Sequence, residues 1–189
     1  MRLDGGHPAL DLVNTIYGQV GEPPEHDVLA TPEDLVTFAH RVGLADDAAR
    51  SSAEALAAAR ALRAALDAVL RAHLGQGPPA PAGGEDVAAA ARAALGSADV
   101  GPHGAAFAWT WPERDPFTPV HRLALAAVGL LTDAAELARL HGCAGCCWLY
   151  LDRSRNGTRR WCSMADCGTE AKKRRYVERR RERRGDATR

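Results

Sequence analysis

The chain has 189 residues and carries 24 Lys+Arg against 24 Asp+Glu, so its formal net charge is zero. This length allows one domain of usual size and a small additional module. No segment reaches the roughly 20 consecutive apolar residues that a membrane span needs, and the first residues lack the apolar core of a signal peptide. The sequence therefore argues against a membrane protein, and we expect a cytoplasmic one.

The zero net charge hides a strong asymmetry along the chain. Residues 142–189 contain 14 Lys+Arg and 6 Asp+Glu, a local net charge of +8, whereas residues 1–141 contain 10 and 18, a net charge of −8. Such a distribution indicates a nucleic-acid or other acidic partner for the C-terminal part. A solvated basic tail would have the same composition, so both interpretations stay open at this point.

Helix signals dominate the first half of the chain. Apolar spacing predicts a short amphipathic helix over 9–17. Thr31 is a good N-cap and Pro32 fits the first position of a second helix. A long alanine-rich helix is predicted over 47–74. Residues 75–84 are rich in Gly and Pro and predict a surface linker.

The following segment mixes helix and strand signals. Residues 85–95 and 120–141 are predicted to be helical, and residues 105–111 alternate as a strand does. The alternating residues on one strand face are Ala105, Phe107, Trp109 and Trp111. Residues 1–141 therefore predict one mainly helical domain with a small sheet, which belongs to the α+β class.

Five cysteines crowd into residues 143–167. Cys143 and Cys146 are separated by two residues, fifteen residues follow, and Cys162 and Cys167 are separated by four. Paired cysteines at this spacing are typical of a structural zinc site, which holds one ion with four thiolates. An iron–sulfur cluster is the rival interpretation. A site closed by four cysteines argues against catalysis by the metal.

The fifth cysteine and the segment between the pairs need separate predictions. Cys147 is expected to be a buried or spare thiol, with replacement of Cys146 as a ligand as the alternative. Residues 148–151 are strand-prone, and residues 159–162 are predicted to return beside them in a hairpin with a wide turn over 152–157. A basic helix is expected next, so the predicted module resembles a treble-clef finger with a hairpin and a helix.

Residues 143–175 resemble the CGNR zinc finger, which is found at the C terminus of bacterial stress-induced transcription regulators. The run from Leu151 to Met164 (LDRSRNGTRRWCSM) is the most specific part of this likeness. Residues 9–15 (ALDLVNT) and 29–35 (LATPEDL) resemble the companion ABATE domain. The resemblance aligns Cys146 with the second ligand of the family. It implies a DNA-binding regulator whose N-terminal domain senses a ligand.

The chain departs from its family at the motif that gives the finger its name. Residues 167–170 are Cys-Gly-Thr-Glu, where the family has Cys-Gly-Asn-Arg. The cysteine and glycine remain, so the metal site should persist. Glu170 in place of an arginine changes the local charge by −2. If that arginine contacts phosphate in relatives, DNA binding is weakened or altered here.

Basic side chains of the predicted hairpin and helix are the candidates for contact with DNA, because guanidinium groups suit phosphates and base edges. These candidates are Arg153, Arg155, Arg159, Arg160, Lys172, Lys173, Arg174 and Arg175. Four aromatic residues lie among them and are expected to form the core of the module rather than to stack on bases: Trp148, Tyr150, Trp161 and Tyr176.

In the N-terminal domain, Asp11 and Asn14 lie one helical turn apart and near His7, so the three could line a ligand pocket. Helix capping and ordinary surface polarity are the simpler explanation for these residues. No nucleophile–base order or phosphate-binding loop occurs in the sequence.

The predicted organisation is an ABATE-like domain over 1–141, a zinc finger over 142–178 and a basic tail over 179–189. The favoured function is a zinc-dependent DNA-binding transcription regulator with one structural Zn²⁺, duplex DNA as partner, a small-molecule effector and a homodimeric state. The alternatives are an enzyme or biosynthetic accessory protein with a purely structural finger, and an adaptor that binds protein or RNA.

Overall fold

The computed structural model describes residues 2–19, 25–46, 48–112 and 114–186, with side chains through residue 181. The helices are α1 (Pro8–Val13), α2 (Pro32–Arg41), α3 (Ala53–His73), α4 (Pro81–Gly96), α5 (Thr118–Thr132), α6 (Ala134–Leu137) and α7 (Thr169–Asp186), with a π-helical turn at Met164–Gly168. The described strands pair antiparallel: β1 (Ile16–Tyr17) with β2 (His26–Asp27), β3 (Asp99–His103) with β4 (Ala106–Thr110), and β5 (Leu140–Gly142) with β6 (Leu149–Leu151). None of the described helices is long and apolar enough to span a bilayer.

Local capping explains where the first long helices begin. Thr31 and Asp34 form a capping box, because each side chain accepts a hydrogen bond from the backbone N–H of the other, and this confirms the predicted start of α2. The Ser52 side chain accepts from the Ala55 N–H, so α3 begins later than predicted. The prediction began this helix at residue 47, which lies outside the described residues.

Helix α1 is shorter than the predicted 9–17 helix. It ends at Val13, the Thr15 hydroxyl donates to the Leu12 carbonyl at 2.7 Å, and the chain then enters β1. The helix does not continue through Asn14, because the Asn14 side chain is buried and hydrogen-bonded to the backbone of Leu149 in β6. A tertiary contact therefore overrides the apolar spacing on which the prediction rested.

Helices α1, α3, α4 and α5 enclose the main hydrophobic core. The fully buried side chains of this core include Leu10 of α1, Leu66 and Leu70 of α3, and Leu123 and Leu130 of α5. Burying a leucine contributes roughly 1.5–3 kcal/mol, so this cluster is the principal stabilising element of the N-terminal part.

Strand β6 contributes side chains to both the main hydrophobic core and the small core around the cysteines. Leu149 and Leu151 point into the main core, whereas the alternate residues Trp148 and Tyr150 point into the cysteine cluster. Its partner β5 crosses the predicted boundary at 141/142. The N-terminal part and the finger are consequently built on one common hairpin.

Three further predicted boundaries differ from the structure. Helix α4 begins at Pro81, so the last residues of the predicted 75–84 linker are helical; Gly83 allows this because a Cβ there would lie 2.9 Å from the Ala65 carbonyl of α3. The predicted 120–141 helix divides into α5, α6 and β5. Helix α7 continues to Asp186, so the predicted 179–189 tail is helical as far as it is described, and residues 187–189 lie outside the description.

The predicted strand over 105–111 is present as β4. It pairs with β3, which the sequence hides because Gly101 and Pro102 are poor strand formers. Gly104 has φ +60 in the connecting turn, a conformation that glycine adopts without strain. The face with Phe107 and Trp109 is exposed to solvent.

Candidate metal centre and basic surface

Four cysteine sulfurs converge at the end of the β5–β6 hairpin. The Sγ atoms of Cys143, Cys146, Cys162 and Cys167 all lie within 4.8 Å of one another. The Cys146–Cys162 distance is 3.6 Å and the Cys162–Cys167 distance is 3.8 Å. Tetrahedral zinc with bonds of about 2.3 Å requires sulfurs about 3.8 Å apart. The donor set and its geometry therefore fit one Zn²⁺, as predicted.

The first cysteine pair lies in the turn that joins β5 to β6. The Cys143 N–H donates to the Trp148 carbonyl at 2.8 Å and closes the turn. The Gly145 N–H donates to the Cys143 sulfur at 3.4 Å. A Cβ at Gly145 would lie 3.0 Å from the Cβ of Cys167, so glycine lets the two cysteine-bearing segments approach this closely without displacing Cys167.

The second pair comes from the loop after β6 and from the π-helical turn. The Cys162 N–H donates to the Cys143 sulfur at 3.3 Å, which ties the two pairs together. Ser163 caps the π-helical turn by accepting from the Asp166 N–H at 3.4 Å, and this turn presents Cys167. Hydrogen bonds to a thiolate sulfur favour its charged form, which is the form that binds zinc.

The four thiols compete for protons when no metal holds them. Hydrogen bonds from Cys146 and Cys162 lower the pKa of the Cys143 thiol, and the same contact with Cys143 raises the pKa of Cys146. One thiolate forms at the expense of its neighbours. A divalent cation removes this conflict, because it binds all four sulfurs deprotonated.

The hairpin predicted between 148–151 and 159–162 is wrong as a strand pairing, because β6 pairs with β5 instead. The finger still contains a hairpin and a helix, but its hairpin carries the first cysteine pair in its turn. Segment 159–162 contacts that turn through a backbone hydrogen bond from the Ala144 N–H to the Arg160 carbonyl at 3.0 Å and through the Cys162 N–H, which donates to the Cys143 sulfur.

Asp152 organises the loop after β6 in place of a second strand. Its buried carboxylate accepts from the N–H groups of Ser154 and Arg159, both at 2.8 Å. The hydrogen bonds from Ser154, and then that from Arg159, lower the pKa of Asp152. The turn closes with Gly157 at φ +60, the conformation expected of the Asn-Gly pair there.

Cys147 faces away from the cluster and toward the N-terminal part. Its thiol contacts the Ile16 carbonyl at 3.5 Å, and its N–H donates to the Gly18 carbonyl at 3.1 Å. Burial raises the pKa of this thiol. Cys146 is therefore the second ligand, as the spacing predicts.

Aromatic side chains form the small core beside the metal centre. Trp148 and Tyr150 are buried, Trp161 packs against them, and Tyr17 of β1 meets Trp148 edge-on with ring centroids 4.9 Å apart. This agrees with the predicted core role of three of the four aromatics. Tyr176 is the exception, because it is 58% exposed on α7.

Three of the eight predicted DNA contacts form hydrogen bonds or ion pairs within the chain: Arg153, Arg159 and Lys173. The Arg159 Nε donates to the Trp161 carbonyl at 2.8 Å, a second nitrogen reaches the Cys162 carbonyl, and the guanidinium lies 4.5 Å from the Tyr150 ring centroid. Arg153 forms an ion pair with Glu136 at 2.6 Å. Arg159 in particular holds the finger together.

The remaining predicted contacts lie on the surface. Arg155 and Arg160 are exposed on the loop, and every residue from Lys172 to Arg181 is exposed on α7. Helix α7 carries nine Lys+Arg and four Asp+Glu. Within it, Lys173 lies 3.4 Å from the Glu170 carboxylate. The loop and α7 thus each present exposed positive charge, and residues 161–171 between them carry no Lys or Arg.

His7, Asp11 and Asn14, the predicted ligand-binding residues, all have structural partners. His7 caps α1 by accepting from the Ala9 N–H, and Asp11 accepts from the Gly5 N–H at 2.9 Å. The Asn14 side chain donates to the Leu149 carbonyl at 2.8 Å and accepts from the Leu149 N–H at 2.9 Å. Their role in ligand binding stays a prediction.

A cavity of about 770 Å³ lies between α3 and the turn that carries Cys143 and Cys146. The α3 side presents four charged residues: Arg60, Arg63, Asp67 and Arg71. Trp148 and Ile16 contribute apolar surface. Sequence reasoning missed this site, although charged residues recurring on one face of an alanine-rich helix were an available signal.

A mainly helical domain joined through a shared hairpin to a four-cysteine zinc finger is the class that this fold and site define. Residues 6–137 match the ABATE family, which is described as "Putative stress-induced transcription regulator". Residues 139–180 match the CGNR zinc finger. No curated protein matches the chain. Because the ABATE match covers more than half of its length, the chain belongs to that family, as the resemblance indicated.

Proposed function

We propose that the protein is a transcription regulator that binds duplex DNA through the exposed basic surface of its zinc finger, and that it acts in the cytoplasm. The observation that carries this proposal is helix α7, whose residues are exposed from Lys172 to Arg181 and whose net charge is strongly positive. An exposed basic helix matches the width of the DNA major groove and the charge of the phosphates beside it.

The metal supports this proposal by positioning the helix. Zinc would hold Cys167 in the π-helical turn from which α7 continues, and Cys143, Cys146 and Cys162 in the segment fixed to β6. Bound zinc supplies a rigid junction between these segments, so α7 leaves the protein in a defined direction. Arg155 and Arg160 are also exposed, on the loop that precedes the π-helical turn.

Selection from a random duplex DNA library with the zinc-loaded protein tests the proposal. We expect a short enriched motif and binding that weakens as salt increases, because basic residues release counterions from the phosphates. Cys162→Ser serves as the control without an intact metal site and should lose the enrichment. Failure to enrich any duplex, or equal enrichment by the Cys162→Ser variant, would contradict the proposal.

We further propose that a small organic molecule with an anionic group controls this activity from the cavity beside α3. Support comes from the position of the cavity, which touches both α3 and the turn with Cys143 and Cys146. Arg71 connects the same two parts, because it donates to the Cys147 carbonyl at 2.6 Å. Asp27 forms an ion pair with Arg63, and Asp67 forms one with Arg71, so part of the arginine charge is offset and the apolar walls would supply much of the affinity.

Ala64→Leu tests this control, since Ala64 lines the cavity and leucine keeps the helix propensity of α3 while filling space. We expect benzoate and related carboxylates to raise the melting temperature of the wild-type protein, and the shift to disappear in Ala64→Leu. DNA affinity measured with and without the best carboxylate then reports the coupling. Identical shifts in both proteins, or none in either, would contradict a ligand in this cavity.

A further inference from the structure

The β3–β4 hairpin exposes an apolar face that the fold leaves uncovered. Val100 is 61% exposed, Phe107 74% and Trp109 48%. In the antiparallel register Val100 pairs with Trp109, and Pro102 pairs with Phe107. Paired residues and residues two positions apart share a face, so these four apolar side chains lie together.

The opposite face of the hairpin is the one turned toward the protein. Gly101 and Ala108, which pair with each other, are half-buried there. After β4, the Trp111 indole N–H donates to the Ala94 carbonyl of α4 at 2.9 Å and fixes the end of the hairpin to the helical domain. The small residues therefore face inward and the large ones face solvent, which is the reverse of the usual arrangement of a surface hairpin.

We propose that this hairpin face binds the same face of a second copy of the chain. A lone two-stranded sheet is marginal in water and normally needs a packing partner on its apolar face. The four side chains carry no charge, so two copies can meet around a twofold axis without like-charge repulsion.

The exposed area agrees with a dimer. A buried aromatic side chain covers about 150–250 Å², so the four exposed side chains offer about 400 Å² of apolar surface per copy. Two copies together would bury about 800 Å², half of the roughly 1,600 Å² of a standard interface. A polar rim around an apolar centre normally supplies the rest. The patch has about the size of the largest apolar patch on a typical monomer, and such patches are often functional.

Sedimentation equilibrium of the zinc-loaded full chain tests this inference without DNA, so its outcome is independent of the proposed function. We expect a mass of about twice 20.1 kDa at protein concentrations above about 10 μM. The double variant Phe107→Glu, Trp109→Glu should weaken dimerisation at least about 100-fold, because it places charges at the interface centre. Tyr176→Glu is the matched control, since Tyr176 is also an exposed aromatic, and it should leave the dimer intact.

Hydrogen exchange of the wild-type protein provides a second readout that needs no variant. Comparing 1 μM with 100 μM protein, we expect the amides of residues 99–110 to gain protection at the higher concentration. A monomer at 100 μM, a dimer that survives the double charge substitution, or protection confined to other segments would each overturn the inference.

Discussion

The two parts of the zinc finger use their basic side chains in opposite ways. From β5 to the π-helical turn, the chain is built into the protein: Leu149 and Leu151 enter the main core, and Arg159 binds backbone carbonyls of the finger. Helix α7 packs mainly on the π-helical turn and exposes its charged residues. Arginine content alone therefore does not identify a nucleic-acid surface; the partners of each guanidinium do.

The largest effect is expected from breaking the metal centre that connects the two parts. Cys162→Ser should abolish zinc binding, which supplies on the order of 10 kcal/mol in small zinc modules, and should unfold the finger. Zinc content by atomic emission and thermal unfolding check this. Cys147→Ser is the control and should retain one zinc per chain, because Cys147 faces Ile16. Zinc retained by Cys162→Ser would show that the site is assigned wrongly.

A smaller effect on stability is expected where β6 of the finger contacts Asn14 of the N-terminal domain. Asn14→Ala removes two hydrogen bonds and leaves the buried N–H and carbonyl of Leu149 without their partner. The free energy of unfolding should fall by about 2–3 kcal/mol. Asn156→Ala makes the same change at an exposed position and should cost less than about 0.5 kcal/mol. Equal effects in denaturant titrations would refute the role of Asn14 as a clamp.

Substitutions of the neighbouring residues Arg159 and Arg160 test separately the structural role and the DNA-binding role of arginine in the finger. Arg159→Ala should lower the free energy of unfolding by about 1–3 kcal/mol, because it leaves the Trp161 carbonyl without its donor. Arg160→Ala should change stability by no more than about 1 kcal/mol, because the Arg160 guanidinium lies 5.1 Å from the Trp161 ring centroid, but it should weaken DNA binding. Urea unfolding and DNA titrations of both variants test this. The reverse pattern would mean that the two roles are exchanged.

We expect Asp11 of the N-terminal domain to make the free energy of unfolding depend on pH by about 1 kcal/mol. Burial raises the pKa of Asp11 to about 6, whereas the unfolded value is about 3.9. The native state therefore retains a proton that the unfolded state has lost, and stability from this group falls as pH rises from about 4 to 6. Asp11→Asn should stabilise the protein at pH 7 by about 1 kcal/mol, discounted for partial exposure. Stability curves of wild type and variant that stay parallel from pH 4 to 7 would contradict this.

The smallest effect concerns the position where this chain departs from Cys-Gly-Asn-Arg. Glu170 lies 3.4 Å from Lys173, and both are exposed. Glu170→Gln should raise DNA affinity about two- to fivefold at low salt and less at high salt, because screening weakens exposed charge interactions. Fluorescence anisotropy at two ionic strengths measures this. Unchanged affinity at low salt would place Glu170 away from the DNA.

The metal site could be predicted from the sequence because zinc dictates ligand type and spacing locally. The helix cap at Thr31 was also predictable, because a capping box depends on residues only three positions apart. The partner of β6 was not, since β5 follows directly on helical sequence and looks like its last turn. Asn14 pairs with Leu149, 135 positions away, and no local pattern encodes such a contact. Alternation correctly indicates β4, but it does not say which face is buried.

The salt dependence of duplex DNA binding tests the central claim that α7 and the adjoining loop are the DNA-binding surface. The comparison is between the zinc-loaded wild type and a variant with Arg160, Lys172, Arg174 and Arg175 replaced by alanine. Each lost phosphate contact reduces the slope of log K against log salt by about 0.9, so the account predicts a reduction of about 2–4 in a variant that keeps its zinc and its stability. An unchanged slope in that folded variant would contradict it.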